Sequence, residues 1–287
     1  MSHALDPELL AAARYARSLA DSTCLVDASG RSCAWYHGAW PFFRLVEIVS
    51  TPKKHAVHFE SELRGLKQQE QCRRVLISGS ADDGMLSLVA DASAGWLPAV
   101  EFTVIDRCAT PLRLCERFAQ QRRLKLTTIQ RNILDPAPAA AYDAILTHGF
   151  LGYFTAAELP VLLLRWRSLL RPGGRLVMVQ RIREHYAGDR VRFTTAEAAA
   201  FIASVKRLSA PHTAELAADD VPALARRYVA NMDAWPVRSA QGLRRAIEAN
   251  GFRLLRFERS DAQRADAITG PAVPNSAGYH MITAERS

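Results

Sequence analysis

Between residues 71 and 183, short apolar runs alternate with segments of helical periodicity, and this alternation restricts the fold more than any other feature of the chain. The runs predict strands over 75–79, 101–106, 125–130, 142–147 and 175–180, with helices over 84–91, 110–122 and 156–170 between them. Strands that alternate with helices build a parallel sheet covered on both faces, because each parallel pair needs a crossover. Past residue 184 the rhythm breaks, and 194–232 reads as helical and rich in alanine. It resumes with a helix over 241–250, closed by Gly251 where a left-handed cap is needed. A strand over 252–259 and a last one over 279–285 are expected as an antiparallel edge hairpin, joined by a Gly- and Pro-containing loop at 267–277. Residues 1–70 read as mainly helical, and the Ala/Pro-rich stretch at 136–141 reads as a loop.

The first strand and helix meet in a loop of small residues, Gly79-Ser80-Ala81-Asp82-Asp83-Gly84. Gly79 and Gly84 lack a Cβ, so the backbone N–H groups there can approach a ligand closely. The second strand ends in Asp106. An acid roughly 20 residues beyond such a loop is where a nucleotide-binding βαβ unit places its ribose-binding carboxylate.

The remaining bulk properties exclude more than they select. The 287 residues suffice for one large domain with additions. No apolar run approaches the ~20 residues that span a bilayer, and the first 20 residues carry charges in place of a signal-peptide apolar core. A cytoplasmic protein is the expectation. Five cysteines, Cys24, Cys33, Cys72, Cys108 and Cys115, form no C-x-x-C pair and are odd in number. Reduced, buried thiols are therefore expected in place of a zinc site or a disulfide framework. The net charge of +8 comes from basic residues spread among acids. That pattern argues against a nucleic-acid partner and leaves room for an acidic small substrate.

Several segments then resemble the class I S-adenosylmethionine (SAM)-dependent methyltransferases. The glycine loop looks like that family's first motif, and Asp106 stands where its ribose-binding acid stands. Residues 130–135, Gln-Arg-Asn-Ile-Leu-Asp, resemble the segment beside the adenine. Residues 142–148, Tyr-Asp-Ala-Ile-Leu-Thr-His, resemble the motif that lines the reaction centre. Leu169-Leu170-Arg171-Pro172-Gly173-Gly174-Arg175-Leu176, a helix end, a turn and a strand, is the most specific match. The resemblance implies an α/β fold with a Rossmann-like seven-stranded sheet, mostly parallel with an antiparallel last strand. A helical N-terminal cap over 1–70 would precede a SAM-binding domain over 71–287, with a helical insertion at about 184–238 after the fifth strand.

The resemblance also implies a set of site residues. SAM would be held by Gly79, Ser80, Ala81, Asp82, Gly84 and Met85 from the first motif and by Asp106 and Arg107 after the second strand. Asn132 and Ile133 would lie at the adenine, and Thr147 and His148 at the sulfonium. Two departures stand out: Ala81 replaces a glycine, and Ile77 or Ser78 replaces the acid that helps hold the SAM amino group. Asp82 is the substitute on offer. For Asp106 the alternative is a turn acid, for Asn132 a turn amide, and for Arg107 a solvated surface residue. His148 is either a general base or a shaper of the pocket. Tyr36 and Tyr153 are further catalytic candidates, set among Trp35, His37, Trp40, Phe42 and Phe43 in one case and Phe150 and Phe154 in the other. These aromatics suit either a lid that excludes water or ordinary core packing. Arg181 and Arg183 suit a substrate carboxylate. His55 and His58 lack a well-spaced carboxylate, so no metal is expected there.

The expected activity is methyl transfer from SAM to an N or O acceptor of a small, anionic substrate in an enclosed pocket. The alternative is a SAM-consuming cyclase that closes a small-ring amino acid such as azetidine-2-carboxylate and releases methylthioadenosine. A homodimer is compatible with either reading; nucleic acid and membrane are not expected as partners.

Overall fold

A computed structural model describes residues 4–27, 30–68, 72–95, 99–136, 142–184, 186–260 and 277–287. Seven strands form one sheet: β1 (Arg74–Ser78), β2 (Glu101–Asp106), β3 (Lys125–Gln130), β4 (Tyr142–His148), β5 (Leu170–Arg183), β6 (Phe252–Arg259) and β7 (Ala277–Arg286). Their order across the sheet is β3-β2-β1-β4-β5-β7-β6, and only β7 runs antiparallel to its neighbours. The expected antiparallel edge hairpin is present, and the structure adds its order. β6 and β7 do pair antiparallel, but β7 inserts between β5 and β6 and leaves β6 at the edge. The expected loops at 267–277 and 136–141 lie largely outside the described residues.

Alternation along each strand divides the core between two faces. Val75, Ile77, Ala144, Leu146, Val177 and Val179 face one cluster, which α4 (Ala56–Gln68), α5 (Gly84–Ala92) and α6 (Ala109–Arg122) complete. Leu76, Ile145, Leu176 and Met178 face the other, against α7 (Glu158–Leu169) and α11 (Ala240–Ala249). α4, counted with the cap in the sequence reading, contributes Phe59, Leu63 and Leu66 to the sheet core.

The remaining helices form a separate layer. α1 (Pro7–Thr23), α2 (Ala34–His37) and α3 (Trp40–Leu45) pack with α8 (Thr195–Ser209), α9 (Thr213–Leu216) and α10 (Val221–Asn231). Phe42, Phe43, Phe201, Val205, Ala225 and Tyr228 fill that interface, so the N-terminal helices and the insertion after β5 share one apolar core.

The Arg171-Pro172-Gly173-Gly174 segment was expected as a turn before a strand. It lies instead within β5 as an irregularity, where the register to β4 jumps from Tyr142–Leu170 to Ala144–Arg175. Gly173 is left-handed at φ +73°, and a Cβ on Gly174 would stand 2.9 Å from the carbonyl oxygens of Arg171 and Tyr142. Asp143 braces the start of β1: its Oδ2 accepts from the N–H groups of Arg73 and Arg74 at 2.7 Å, and its Oδ1 from Arg171 Nε at 2.5 Å.

Candidate active site

A cavity of about 1010 Å³ opens above the carboxyl ends of the parallel strands, beside β1 and β4, where the strand order reverses. Ligands of open α/β sheets bind at this crevice. The loop after β1 forms its floor. Gly79 is left-handed at φ +74°, its N–H donates to Ile105 O at 2.9 Å, and the Phe150 ring lies where its Cβ would be. Only glycine meets both requirements.

Asp106 holds the loop from the β2 side. Its Oδ2 accepts from Ser80 N at 2.9 Å and its Oδ1 from Cys108 N at 2.7 Å. A carboxylate has about four lone-pair sites, so each oxygen keeps one toward the cavity that it lines. Burial pushes the Asp106 pKa upward, and the charge of His37 and the two backbone donors pull against that shift.

Asp82 and Asp83 are both buried. Asp82 Oδ1 accepts from Gly84 N at 2.8 Å, while Arg44 Nη1 from α3 donates to Asp82 Oδ2 at 3.0 Å and to Asp83 Oδ1 at 2.5 Å. Burial opposes the Arg44 charge, but the two carboxylates outweigh it and raise its pKa. Asp82 therefore lines the cavity with its carboxylate already engaged. Ile77 and Ser78 offer no acid: Ile77 lies in the sheet core, and the Ser78 hydroxyl accepts from Trp166 Nε1 at 2.9 Å. Ala81 keeps a role through its backbone, since its carbonyl lies 3.2 Å from His37 Nδ1. Gly84 begins α5, and Met85 is buried beside it at the cavity wall.

Beyond β3, Ile133 is buried and Asn132 folds back, its Oδ1 accepting from Leu134 N at 3.1 Å. The side-chain oxygen is thus spent on a turn, which leaves the amide Nδ2 for a ligand. Arg107 is exposed at the rim.

At the end of β4, Thr147 Oγ1 and His148 Nε2 are buried without a hydrogen-bond partner among the described residues. His148 sits 5.3 Å from the His55 ring and 5.8 Å from Tyr279, centroid to centroid. Burial, with His55 beside it, lowers the His148 pKa to about 3, so the ring is neutral near pH 7. Tyr36 and Tyr153 meet across the cavity with ring centroids 6.2 Å apart. Burial raises the Tyr36 phenol, so it keeps its proton, whereas Tyr153 is 53% exposed at the cavity mouth.

The family model described as "Methyltransferase domain" matches residues 81–176, which run from the glycine loop into β5. Over those residues the chain matches a methyltransferase domain, and the sheet that holds them has the Rossmann-like fold of solved methyltransferase structures. Among solved structures, the 1,6-didemethyltoxoflavin-N1-methyltransferase of Burkholderia thailandensis, with bound 1,6-didemethyltoxoflavin and S-adenosylhomocysteine, is 16% identical at a TM-score of 0.52, covering 100% of this chain and 93% of that one. The mitomycin 7-O-methyltransferase MmcR is 15% identical at a TM-score of 0.52, covering 87% of this chain and 57% of that one. At such identities the likeness is one of fold. No curated protein sequence matches the chain.

The cavity is roofed by residues that the sequence did not single out. Tyr228 of α10 stacks near Tyr36 at 6.3 Å, Arg190 lies 3.9 Å from the Trp235 ring, and Tyr279 of β7 packs beside His148. Arg183, which the sequence did offer for a substrate carboxylate, is buried at the cavity wall with its Nη1 unpartnered among the described residues, and burial lowers its pKa to about 10. Cys33 and Cys108 line the cavity, and Cys24 joins them in one cluster. Their sequence separations of 75 and 84 residues hid that convergence.

Proposed function

We propose that this methyltransferase transfers the SAM methyl group to an N or O acceptor of a small, aromatic, anionic substrate held between the sheet and the helical layer. The single observation behind the reading is the cavity. It runs without interruption from the glycine loop and Asp106 to Tyr36, Tyr228 and Trp235, and includes the buried Arg183. Its volume of about 1010 Å³ stands at the top of the ~300–1,000 Å³ usual for one ligand. That fits a cofactor and a substrate side by side.

Asp106 takes the ribose hydroxyls on its two remaining lone pairs, and Ile133 packs on the adenine with Asn132 Nδ2 at its edge. The backbone of residues 79–82 follows the methionine end. Bound SAM supplies an electrophilic methyl on a sulfonium. The chain's part is to set the acceptor atom in line with that methyl at about 3–3.5 Å and to exclude water. Tyr36 and Tyr153, both protonated, act as hydrogen-bond donors and wall. His148, with its low pKa, is a weak base. It orients the acceptor through Nε2 and leaves proton loss to an acceptor that is itself acidic or is an amine. Arg183 pairs with the substrate's negative charge.

Thermal melts with SAM and with S-adenosylhomocysteine, followed by mass spectrometry of reactions with anionic heteroaromatic and phenolic acceptors, test this reading. Both ligands should raise Tm, and a product heavier by one methyl should form. Absence of any ligand-dependent shift at millimolar concentration refutes SAM binding. Methylthioadenosine formed from SAM without an acceptor would replace methyl transfer by cyclisation.

A further inference from the structure

We propose that Cys24, Cys33 and Cys108 bind a zinc ion, with His37 as the fourth ligand, and that this centre clasps the N-terminal helices to the SAM site. The three sulfurs come from different elements: Cys24 closes α1, Cys33 precedes α2, and Cys108 is the N-cap of α6. Cys24 and Cys108 sulfurs lie 3.5 Å apart, Cys33 and Cys108 sulfurs 3.7 Å, and all three within 4.8 Å of one another. A tetrahedral zinc with Zn–S bonds of ~2.3 Å sets its sulfurs roughly 3.8 Å apart. Two of the three separations are already close to that value, and the third, Cys24 to Cys33, lies within 4.8 Å.

The surroundings match a thiolate site. Cys108 stands at the N-terminus of a 14-residue helix, where the helix dipole favours the thiolate. The Thr110 hydroxyl lies 3.1 Å from Cys24 Sγ and can donate to it. His37 is buried on α2, which Cys33 caps, and lies outside the 4.8 Å that spans the three sulfurs, so its ring must turn inward to complete the site. Its Nδ1 is taken by the Ala81 carbonyl at 3.2 Å, which leaves Nε2 for the metal. Histidine ligands of zinc are commonly oriented in this way, by a backbone carbonyl on the other ring nitrogen. Zinc binding converts three thiols to thiolates and needs the lone pair of His37 Nε2, so the three thiol protons, and a fourth where the ring is charged, are released; nothing is oxidised. Soft thiolates with one imidazole select zinc over magnesium or calcium. Cys33, half-buried at the cavity, gives the ion a path of entry. The other two cysteines, Cys72 and Cys115, belong to the sheet core.

The site reaches the cofactor floor through single bonds. Cys108 N donates to Asp106, and His37 holds Ala81, so fixing these two ligands fixes the carboxylate and the loop. This second part rests on the SAM reading; the metal site itself does not.

The test uses the full chain, produced without a metal-binding tag in zinc-supplemented medium and purified under reducing conditions. Elemental analysis should find one zinc per chain. Cobalt(II) exchange should give thiolate-to-metal charge transfer and the intense visible bands of a tetrahedral site. Cys33→Ser, at the least buried ligand, should lose the zinc, and Cys72→Ser should keep it. His37→Ala should alter the visible cobalt bands. Zinc removal should weaken S-adenosylhomocysteine binding about tenfold. Three results overturn the site: substoichiometric metal after zinc reconstitution, equal zinc in Cys33→Ser, or a Cys33–Cys108 disulfide in the reduced preparation. Unchanged cobalt bands in His37→Ala overturn the fourth ligand. Full zinc with unchanged ligand affinity on its removal overturns the clasp alone. Full zinc with no S-adenosylhomocysteine binding refutes the SAM reading and leaves the metal site standing.

Discussion

Replacing Gly79 by alanine separates two demands that the site makes on one residue. Gly79 and Gly149 share a left-handed backbone, at φ +74° and +65°. Their surroundings differ: a Cβ at Gly149 meets nothing within 4 Å, whereas one at Gly79 enters the Phe150 ring. Gly149→Ala should therefore cost only the backbone penalty, about 1–2 kcal/mol. Gly79→Ala adds overpacking of about 1–3 kcal/mol, for a sum of roughly 2–5 kcal/mol. Phe150→Ala is itself destabilising, by less than the about 3–5 kcal/mol of a fully buried aromatic, since its half-buried ring packs on Phe154 and Trp166. In that background, however, the new methyl has room, and the Gly79→Ala increment should fall to the backbone value. The double-mutant cycle should then give a coupling of about 1–3 kcal/mol. Guanidinium unfolding followed by circular dichroism measures it, and melts should differ by roughly 2–4 °C per kcal/mol. A coupling of zero, or equal costs for Gly79→Ala and Gly149→Ala, refutes the close approach of Phe150 to the loop.

Arg44→Met should destabilise the protein by about 3–5 kcal/mol, because it strands Asp82 and Asp83 as buried carboxylates; chemical denaturation measures it. Asp106→Asn must turn an NH₂ toward either Ser80 N or Cys108 N, both donors. The lost charged hydrogen bond, about 1.5–3 kcal/mol, should weaken SAM binding roughly 10–100-fold by calorimetry. Acid should destabilise the fold through His55, His58 and His148, whose pKa values burial lowers to about 4, 4 and 3. The unfolded chain binds the protons that these rings refuse. Stability is thus complete above about pH 6.5 and falls toward pH 4, by at most about 1.4 kcal/mol per pH unit for each ring. Melts from pH 7.5 to 5 test this, and His58→Gln should flatten the slope.

The sheet was legible because five short apolar runs recur with three helical segments between them, and because Asp106 ends the second strand as such units require. The place of β7 was not, since strands that pair after a connection can lie beside each other in more than one order. The Arg-Pro-Gly-Gly segment marked its location correctly and its form wrongly. Gly174 is there to let two carbonyls approach, which a local reading takes for a turn. At the site, spacing pointed to Asp106 and the family resemblance to Ile133, and both line the cavity. The engagement of Asp82 with Arg44 spans 38 residues, and Tyr228 reaches Tyr36 from a different helix of another segment. Such contacts depend on how the helical layer docks, and no periodicity encodes that. The cysteines show the same limit: each looked like an isolated thiol in sequence, and only folding brings three together.

The insertion of β7 between two earlier strands has a consequence for how the chain is assembled. During synthesis β5 and β6 are made before the strand that joins them, and until it arrives each presents an unpaired edge. Such edges template association with other chains. The half of the sheet from β3 to β4, which carries the glycine loop and Asp106, has no such wait. Synthesis should thus yield the cofactor-binding half early and leave the β5 margin exposed, so that aggregation during expression would start there and be suppressed by anything that hastens β7 into place.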